Sequence, residues 1–418
     1  MNDSDLDFDV VVIGAGAAGL IAAGRAAQNG AKVLVVEKMK TPGRKLLITG
    51  KGRCNISNDA PSSTHIKNIH PNGRYLKHAY KTFFSKDIVK LLNDNGLETT
   101  TERGNRIFPV SNNAADVLAA IQKWLHQYAI KFWYQTKASE LLIEGGTIAG
   151  IRADKNGKIV EVCAHKVIIC TGGKSYPATG STGDGYTMAE QAGHSINEIR
   201  PALVPLVTSG NVAPALQGLS LKNVNAVLWI NGKKANEEFG EMLFAHFGLT
   251  GPIILTLSRQ AVDELRNKSK VEITIDLKPA LNEQKLDARL LRDLDANGKK
   301  QIQNIMKQWL PSKLIPVFLK ELGIDGSKEC HQMGAKERRK MMHLMKNFRF
   351  EVIDFRGFKE AIITAGGVNT SEVDAKTMES KLVKGLFFAG EVLDLDANTG
   401  GYNLQIAWST GWLAGHSG

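Results

Sequence analysis

The feature that most constrains the fold of this chain is a glycine-rich turn near its N-terminus. An apolar run at residues 10–13 leads into Gly14-Ala15-Gly16-Ala17-Ala18-Gly19, and an alanine-rich segment continues to residue 29. A buried strand that turns sharply into a helix needs glycine for the tight turn, for close approach of the backbone to a pyrophosphate and for helix-to-strand packing. The pattern therefore predicts a parallel βαβ unit that binds a dinucleotide at the start of its helix.

A carboxylate follows this turn at the position expected for a ribose contact. The next apolar run, residues 33–36, ends on Glu37, which fits the usual spacing of about twenty residues. A carboxylate at this strand end accepts hydrogen bonds from ribose hydroxyls, and its charge disfavours a 2′-phosphate. Taken alone, the N-terminal pattern is compatible with either NAD or FAD.

A second glycine-rich region lies near the C-terminus. An apolar run at residues 386–388 leads into Ala389-Gly390-Glu391, and Asn398-Thr399-Gly400-Gly401-Tyr402-Asn403 precedes a helical tail. A second G-x-G-x-x-G after a strand, which a dedicated nicotinamide domain normally carries, is missing because the glycines at 180, 183 and 185 are wrongly spaced. We therefore expect FAD held by both chain ends, with any NAD(P)H docking transiently as the electron donor.

Length and composition are typical of a soluble protein with several domains. The 418 residues exceed a comfortable single core and predict two or three domains. No apolar stretch reaches the length of about 20 residues that spans a membrane, and the acidic residues 1–7 lack the basic and apolar parts of a signal peptide. We expect a soluble cytoplasmic protein with no membrane partner, and the sequence leaves its oligomeric state open.

The cysteines indicate neither a disulfide framework nor a metal site. They form no C-x-x-C pair and show no metal-ligand spacing, at Cys54, Cys163, Cys170 and Cys330. This separates the chain from flavin disulfide reductases, which need two close thiols to receive electrons. Cys54 follows Arg53 in a glycine-rich loop and could carry a lowered pKa, but a small packing residue near the cofactor is the favoured interpretation.

The order of predicted elements indicates a nucleotide-binding fold with an insertion. Strands and helices alternate in the first half of the chain, short strands then dominate, helical periodicity follows, and strands resume before the C-terminal glycines. We place the first part of the FAD-binding domain at 1–194, a β-rich, barrel-like subdomain at 195–279, a helical subdomain at 280–349 and the second part of the FAD-binding domain at 350–418.

The positive charge of the chain raises the question of nucleic acid. The formal net charge is +11, and many basic residues fall between Lys285 and Arg349, including the run at residues 336–340. A basic helical face can bind a phosphate backbone, but aromatic interleaving and a known nucleic-acid module are absent. A solvated helix face is the favoured interpretation, and a flavin-containing RNA-binding or RNA-modifying protein is the alternative function.

Several motifs resemble those of a known flavoprotein family. They lie at residues 43–45, 49–55, 104–109, 171–177, 243–252 and 400–403. These segments are similar to those of the BaiN/YhiN family, bacterial flavoproteins often labelled NAD(P)/FAD-dependent oxidoreductases or aminoacetone oxidase family enzymes. The resemblance implies an α/β fold, in which a glutathione-reductase-type, Rossmann-like FAD-binding domain is interrupted by a β-barrel-like and a helical subdomain. It leaves the substrate open.

The resemblance also implies which residues contact FAD. Glu37 and Lys38 would meet the adenosine ribose, Ala138 the adenine, and Arg44 and Lys45 the phosphates and ribityl chain. In chain order, the implied cofactor-binding residues are Gly14, Gly16, Ala17, Ala18, Gly19, Glu37, Lys38, Arg44, Lys45, Gly52, Arg53, Cys54, Asn55, Ala138, Thr171, Gly172, Gly173, Gly390, Glu391, Gly400, Gly401, Tyr402, Asn403 and Leu404.

The start of the C-terminal helix would face the isoalloxazine ring. A reduced flavin carries negative charge at N1 and O2, so backbone N–H groups at a helix start stabilise it and raise its potential. Asn403 would add one side-chain donor to the ring, or serve as an ordinary helix N-cap.

Three residues are candidates for proton transfer or substrate binding: His246, Tyr176 and Arg106. His246 could act as an acid or base near neutral pH, although a histidine between apolar residues is more often a satisfied core side chain. Arg106 could bind a carboxylate or ketone, or form a surface ion pair. We expect an FAD-dependent oxidoreductase that transfers hydride at flavin N5. It would reduce an activated C=C or C=O bond with NAD(P)H, or oxidise a small-molecule substrate.

Overall fold

The computed structural model describes residues 7–418, so nearly all of the acidic N-terminal segment lies outside the described residues. The chain divides into two compact units. One unit combines the residues up to Pro201 with Phe358–Gly418, and the other comprises Ala202–Gly357. The barrel-bearing insertion therefore runs to residue 357, whereas the sequence placed the return to the FAD-binding domain at residue 350.

The first part of the first unit alternates strands with helices. Its strands are β1 Phe8–Ile13, β2 Val33–Val36, β3 Ser57–Asn58, β4 Ile69–His70, β5 Thr99–Glu102, β6 Arg106–Pro109, β7 Ile130–Trp133, β8 Thr136–Glu144, β9 Thr147–Lys155, β10 Lys158–Ile169 and β11 Ile196–Ala202. Its helices are α1 Ala17–Gln28, α2 Arg44–Ile48, α3 Ser62–Lys67, α4 Lys77–Thr82, α5 Ser85–Asp94, α6 Ala114–Leu125 and α7 Asp184–Gln191.

The second unit is the insertion. Its strands are β12 Leu206–Thr208, β13 Ser220–Ile230, β14 Lys233–Ala245, β15 Gly248–Thr250, β16 Val271–Asp276 and β17 Phe348–Phe355. Its helices are α8 Val212–Ala215, α9 Pro252–Arg266, α10 Glu283–Asp295, α11 Ile302–Ile305, α12 Ile315–Leu322 and α13 Ala335–Lys346.

The chain then returns to the first unit. This last part contains β18 Ile363–Val368, β19 Leu386–Phe388, β20 Asp396–Ala397 and α14 Tyr402–Ser417.

A seven-stranded sheet forms the centre of the first unit. Its strand order is β7-β2-β1-β10-β9-β8, and β19 also pairs with β10. The pairs of β1 with β2 and β10, of β2 with β7 and of β10 with β19 are all parallel. Residues 10–13 and 33–36 are buried throughout, as expected for parallel strands with both faces covered. The carboxyl ends of β1, β2, β10 and β19 therefore meet at one edge of the sheet.

The C-terminal helix packs closely on the first helix of the chain. A Cβ on Gly411 of α14 would lie 2.4 Å from the Ala18 carbonyl oxygen, and one on Gly415 would lie 2.3 Å from the Ala22 carbonyl oxygen. Only small residues allow backbones to approach in this way. This packing brings the C-terminal glycines beside the N-terminal turn.

The second unit contains a closed six-stranded barrel in the order β12-β15-β14-β13-β16-β17. β17 pairs with both β16 and β12 and thereby closes the barrel, which explains why its residues belong to the insertion. The predicted β-rich stretch also contains α9, a helix of 15 residues that the sequence analysis missed. The sequence does carry a helical pattern here, with Pro252 at the first position of the helix and buried apolar residues at Ile253, Ile254 and Leu257.

Candidate functional site

The glycine turn has the geometry that its sequence predicts. Gly14 has a φ of 100°, and its N–H donates to the Val36 carbonyl at 2.8 Å. A Cβ on Gly19 would lie 1.8 Å from the Gly14 carbonyl oxygen, whereas a Cβ on Gly16 would meet no atom within 4 Å. Gly14 therefore makes the turn, Gly19 allows the close packing, and Gly16 borders open space.

Glu37 supports the turn from the next strand. One of its carboxylate oxygens accepts the Ala15 N–H at 2.7 Å, and the other accepts the Met39 N–H at 2.7 Å. Each carboxylate oxygen has more than one acceptor site, so both remain able to receive ribose hydroxyls. The residue predicted for the ribose also holds the phosphate-binding turn in place.

A long groove follows the carboxyl edge of the sheet in the first unit. It is lined by residues from both chain ends, and the predicted FAD contacts that line it are Gly14, Gly16, Ala17, Ala18, Glu37, Lys38, Arg44, Lys45, Ala138, Thr171, Gly172, Gly390, Glu391, Asn403 and Leu404. Backbone N–H groups at the start of α1 and the two cations of α2 suit a diphosphate. The open space at Gly16 leaves room for it, so the groove fits a dinucleotide such as FAD.

The remaining predicted contacts do not line this groove. They are Gly19, Gly52, Arg53, Cys54, Asn55, Gly173, Gly400, Gly401 and Tyr402. Gly173 and Gly401 instead allow close packing, because a Cβ on Gly173 would lie 2.5 Å from Thr364 Oγ1 and one on Gly401 would lie 2.4 Å from the Ser57 carbonyl oxygen. Gly173 and Gly401 therefore allow the segments behind the groove to pack closely, and they do not face the groove itself.

Cys54 is a packing residue, as the favoured interpretation holds. Its side chain is fully buried, and burial raises the pKa of its thiol to about 12 despite a hydrogen bond with Thr49. The neighbouring Arg53 does not activate it. Arg53 pairs with Glu102, donates to Asn112 at 2.7 Å and lies over the Phe108 ring at 4.2 Å.

A half-buried hydrogen-bond network lies beside the C-terminal part of the groove. Lys45 Nζ donates to Ser175 Oγ at 2.7 Å and to Glu391 at 2.6 Å, and Ser175 Oγ lies 2.9 Å from the other oxygen of Glu391. The Thr364 N–H donates to Glu391 at 2.9 Å. Ser175 lies in the motif at residues 171–177 but was not predicted to contact the cofactor, and Thr364 is an isolated hydroxyl residue that no motif marks. The network neutralises Glu391 and holds its carboxylate against the groove.

Polar contacts bridge the groove at the end where the resemblance would place the adenosine. Lys38 Nζ donates to Thr182 Oγ1 at 2.5 Å and to Asp184 at 2.6 Å, and Lys137 lies 3.8 Å from Asp184. Burial alone would raise the pKa of Asp184, but the hydrogen bonds and charges of these partners outweigh it and lower that pKa. Asp184 and Lys137 line the groove and were missed by the sequence analysis.

Asn403 is not the N-cap of α14, although it lines the groove. The N-cap of α14 is Gly401, and the Asn403 amide donates to the Ala397 carbonyl at 2.7 Å while its oxygen accepts the Ala397 N–H at 2.9 Å. Its side chain is thus engaged with β20, and only its place in the first helical turn brings it to the groove.

The three candidate catalytic residues lie in different settings. Tyr176 has a left-handed φ of 52° and follows Ser175, and burial, with help from Glu360, raises the pKa of its hydroxyl. Arg106 donates to the Arg103 carbonyl at 3.0 Å and lies 4.0 Å from Glu102, which agrees with the ion-pair interpretation. His246 lies exposed at the turn between β14 and β15 of the second unit, so its assignment as a core side chain is wrong.

Among residues 7–418, no cluster of three or more metal-ligating side chains occurs. Within the same range, no helix is long and apolar enough to cross a membrane. All four cysteines are free thiols, and three of them are buried. The groove therefore has no neighbouring disulfide through which electrons could leave a flavin.

A profile described as "HI0933-like protein Rossmann domain" matches residues 8–417. The 3-dehydro-bile acid delta(4,6)-reductase of Clostridium scindens is 30% identical over 409 residues, which are 97% of this chain and 98% of that protein. The ribosomal RNA dihydrouridine synthase of Escherichia coli is 31% identical over 408 residues, 97% of this chain and 96% of that protein.

A solved structure shows the same fold at lower identity. The 3-ketosteroid delta1-dehydrogenase from Sterolibacterium denitrificans, in complex with 1,4-androstadiene-3,17-dione, superposes with a TM-score of 0.51 and 15% identity. The match covers 98% of each chain. At this identity the likeness extends to the fold alone.

Proposed function

The chain belongs to the HI0933-like Rossmann family of BaiN/YhiN-like flavoproteins and is an FAD-dependent oxidoreductase, and from this premise we propose that it reduces an activated C=C bond in a small molecule, with NAD(P)H as electron donor. The observation that carries the proposal is the groove lined by both chain ends. The sequence also has no C-x-x-C pair, and the four cysteines are free thiols. Electrons would pass directly between FAD and substrate. The name of the Clostridium scindens relative, a delta(4,6)-reductase, denotes reduction of C=C bonds, which supports this bond type over C=O.

FAD, when bound, supplies hydride transfer at N5 of its ring. The chain would hold the pyrophosphate at the start of α1, with Arg44 and Lys45 offsetting its charge, and the ribose at Glu37. The half-buried network of Lys45, Ser175 and Glu391 would keep the ribityl part of the groove ordered.

Tyr176 is the strongest of the three candidates for the proton donor. A tyrosine hydroxyl is protonated at neutral pH, and burial raises the pKa of Tyr176 further. It can therefore donate a proton to the carbon next to the one that receives the hydride. A left-handed φ is uncommon for a bulky residue and concentrates at functional sites. Tyr176 also follows Ser175, which is anchored in the groove network.

The test separates the two half-reactions under anaerobic conditions. NAD(P)H should bleach the flavin absorbance, and 2-cyclohexen-1-one should restore it. Tyr176→Phe should leave the bleaching unchanged and slow the reoxidation by about 100-fold, the usual contribution of a general acid. Tyr75→Phe is the control, since Tyr75 is another shielded tyrosine of the first unit and its hydroxyl contacts the Val373 carbonyl. Neither tyrosine is among the residues that line the groove, so the comparison tests whether the Tyr176 hydroxyl reaches a bound substrate.

If neither NADH nor NADPH reduces the flavin, NAD(P)H is not the electron donor and that part of the proposal is wrong. Reoxidation by a ketone or by oxygen, but by no enone, would replace it with the carbonyl-reductase or oxidase alternative. Equal rates for Tyr176→Phe and the parent would exclude Tyr176 as the proton donor.

A second candidate is reduction of a uracil ring in RNA, favoured by the name of the Escherichia coli relative and by the net charge of +11. The exposed basic residues of α13 are Lys336, Arg339 and Lys340. Arg338 is not part of this face, because it makes a two-pronged ion pair with Asp287 at 2.8 and 3.1 Å. The candidate RNA-binding residues therefore exclude Arg338.

This candidate predicts dihydrouridine in RNA incubated with the reduced protein, measured by mass spectrometry. Changing Lys336, Arg339 and Lys340 to glutamine should weaken RNA binding. It should also make the slope of log affinity against log salt concentration shallower, by the amount that about three lost phosphate contacts produce. The same change at the exposed Lys77, Lys81 and Lys86 is the control. Absence of dihydrouridine together with salt-independent RNA affinity would exclude the candidate.

A further inference from the structure

The segment after the glycine-rich loop is joined to the C-terminal glycines by side-chain hydrogen bonds. Asn58 Nδ2 donates to the Gly400 carbonyl at 2.9 Å. With the Asn55 amide assigned the orientation that satisfies both of its groups, its oxygen accepts the Gly401 N–H at 3.0 Å and its nitrogen donates to the Ser57 carbonyl at 3.0 Å. Ser57 Oγ donates to Gln405 at 2.5 Å. Residues 55–58, which we call the clamp segment, thus contact three positions at the start of α14.

The clamp segment is buried and saturated with hydrogen bonds. Ser57 and Gln405 have no exposed surface, and Asn58 is 1% exposed. Asn58 also donates to the Gly104 carbonyl at 3.0 Å and accepts the Ala60 N–H at 3.0 Å. A buried polar network of this kind is costly when half satisfied, so it selects one arrangement of the groups that it joins.

The turn held by the clamp segment leads directly into the groove. Asn403 and Leu404 in the first turn of α14 line the groove, whereas Asn55 and Asn58 do not. The first N–H groups of a helix have no partner within it and carry the positive end of the helix dipole. Their direction depends on the Gly400-Gly401 turn, and Asn403 holds the same turn from the opposite side through Ala397.

We propose that Asn55, Ser57 and Asn58 are positioning residues that aim the N-terminal turn of α14 at the flavin ring and thereby set its midpoint potential. This rests on the proposed function in one respect, that FAD occupies the groove with its ring against α14. The motif at residues 52–55, which the resemblance placed beside the flavin, acts on the cofactor through this turn. Gly401 has no side chain because the clamp segment occupies the space that a Cβ would need.

The experiment measures the midpoint potential of the FAD-loaded protein by equilibration with a reference dye during slow reduction, without substrate or NAD(P)H. Asn58→Ala removes both amide donors and introduces no charge. The first turn should then lose its fixed direction and stabilise the reduced flavin less. We expect the equilibrium to shift about tenfold toward the oxidised flavin, which for two electrons is about 30 mV more negative.

Two further variants separate positioning from a general loss of stability. Asn95→Ala removes another buried asparagine of the first unit, whose amide donates to the Leu91 carbonyl at 2.8 Å and which does not line the groove. It should lower the urea midpoint and leave the potential unchanged. Ser57→Ala removes only the contact with Gln405 and should shift the potential in the same direction by a smaller amount, which keeps the test open if Asn58→Ala fails to fold.

Unchanged potentials in both Asn58→Ala and Ser57→Ala would overturn the proposal, and so would an equal shift in Asn95→Ala. Because no substrate takes part, failure of the reductase proposal would leave this result intact. A parent protein that does not retain FAD would instead contradict the cofactor assignment itself.

Discussion

Replacement of Gly19 by alanine has two effects of opposite sign on the stability of the protein. Gly19 lies inside α1, where alanine is favoured over glycine by about 1 kcal/mol. The new Cβ, however, would lie 1.8 Å from the Gly14 carbonyl oxygen and 3.2 Å from Cys170 Cβ. Local helix propensity therefore predicts a more stable protein, and packing predicts a less stable one.

The distances decide between the two effects. A carbon atom approaches a carbonyl oxygen to about 3.3 Å, so α1 or the Gly14 turn would have to move by roughly 1.5 Å. The obstructing atom belongs to the backbone and cannot turn aside as a flexible side chain can. Overpacking costs up to about 3 kcal/mol, and after subtraction of the propensity gain we expect a net destabilisation of about 2 kcal/mol.

The assay is urea unfolding of the apoprotein followed by circular dichroism, so that FAD binding does not contribute to stability. Gly16→Ala is the matched control, since its Cβ meets no atom within 4 Å. It should cost less than about 1 kcal/mol as a change of N-cap, yet weaken FAD binding by at least tenfold because the methyl group enters the space left for the pyrophosphate. A Gly19→Ala protein as stable as the parent, or more stable, would refute this reasoning.

Three further predictions concern individual side chains. Glu37→Gln removes the charged acceptor and should weaken FAD binding roughly tenfold in a fluorescence titration, whereas unchanged affinity would remove Glu37 from the ribose site. Cys54, with its pKa of about 12, should resist iodoacetamide at pH 8 in the native protein while the less buried Cys163 reacts. Mass spectrometry of the peptides measures both labels, and faster labelling of Cys54 than of Cys163 would contradict this prediction. Burial lowers the pKa of His194 in the folded state, although Glu372 partly opposes this. As the pH falls through the ordinary histidine pKa of 6.5, the unfolded chain binds more protons than the folded protein does. The stability should therefore fall as the pH drops from about 7 through 6.5 toward the folded pKa. His194→Asn should flatten that slope in urea titrations, and an unchanged slope would contradict the assignment.

Much of the fold could be predicted from the sequence because its elements carry local patterns. The run at residues 10–13, the turn Gly14–Gly19 and Glu37 predicted β1, α1 and β2, and the family resemblance and the fold class are confirmed. The sequence did not predict α9, and the cause is local. The helix begins directly after the short strand β15, and its apolar residues were therefore taken for part of the β-rich stretch.

Several residues in and beside the groove were beyond sequence reasoning. Asp184 lines the groove, and Ser175 and Thr364 hold Glu391 beside it, only because the sheet brings the ends of distant segments to one edge. The same holds for Asn58 and Gly400, which are 342 positions apart in the chain. Contacts between distant segments leave no periodic pattern that could be recognised beforehand.

The sequence by itself determined the βαβ unit, the dinucleotide turn and the family, because strand burial, helix start and glycine geometry act over neighbouring residues. Only the tertiary structure decided which residues face the groove and which hold its walls. It kept Arg53 and Cys54 away from the groove, joined Asn55 to the C-terminal turn, engaged Asn403 with β20 and exposed His246. The physical reason is that the direction of a side chain depends on what packs against it, and many of those partners, such as Glu102 for Arg53 and Gly401 for Asn55, are distant in the sequence.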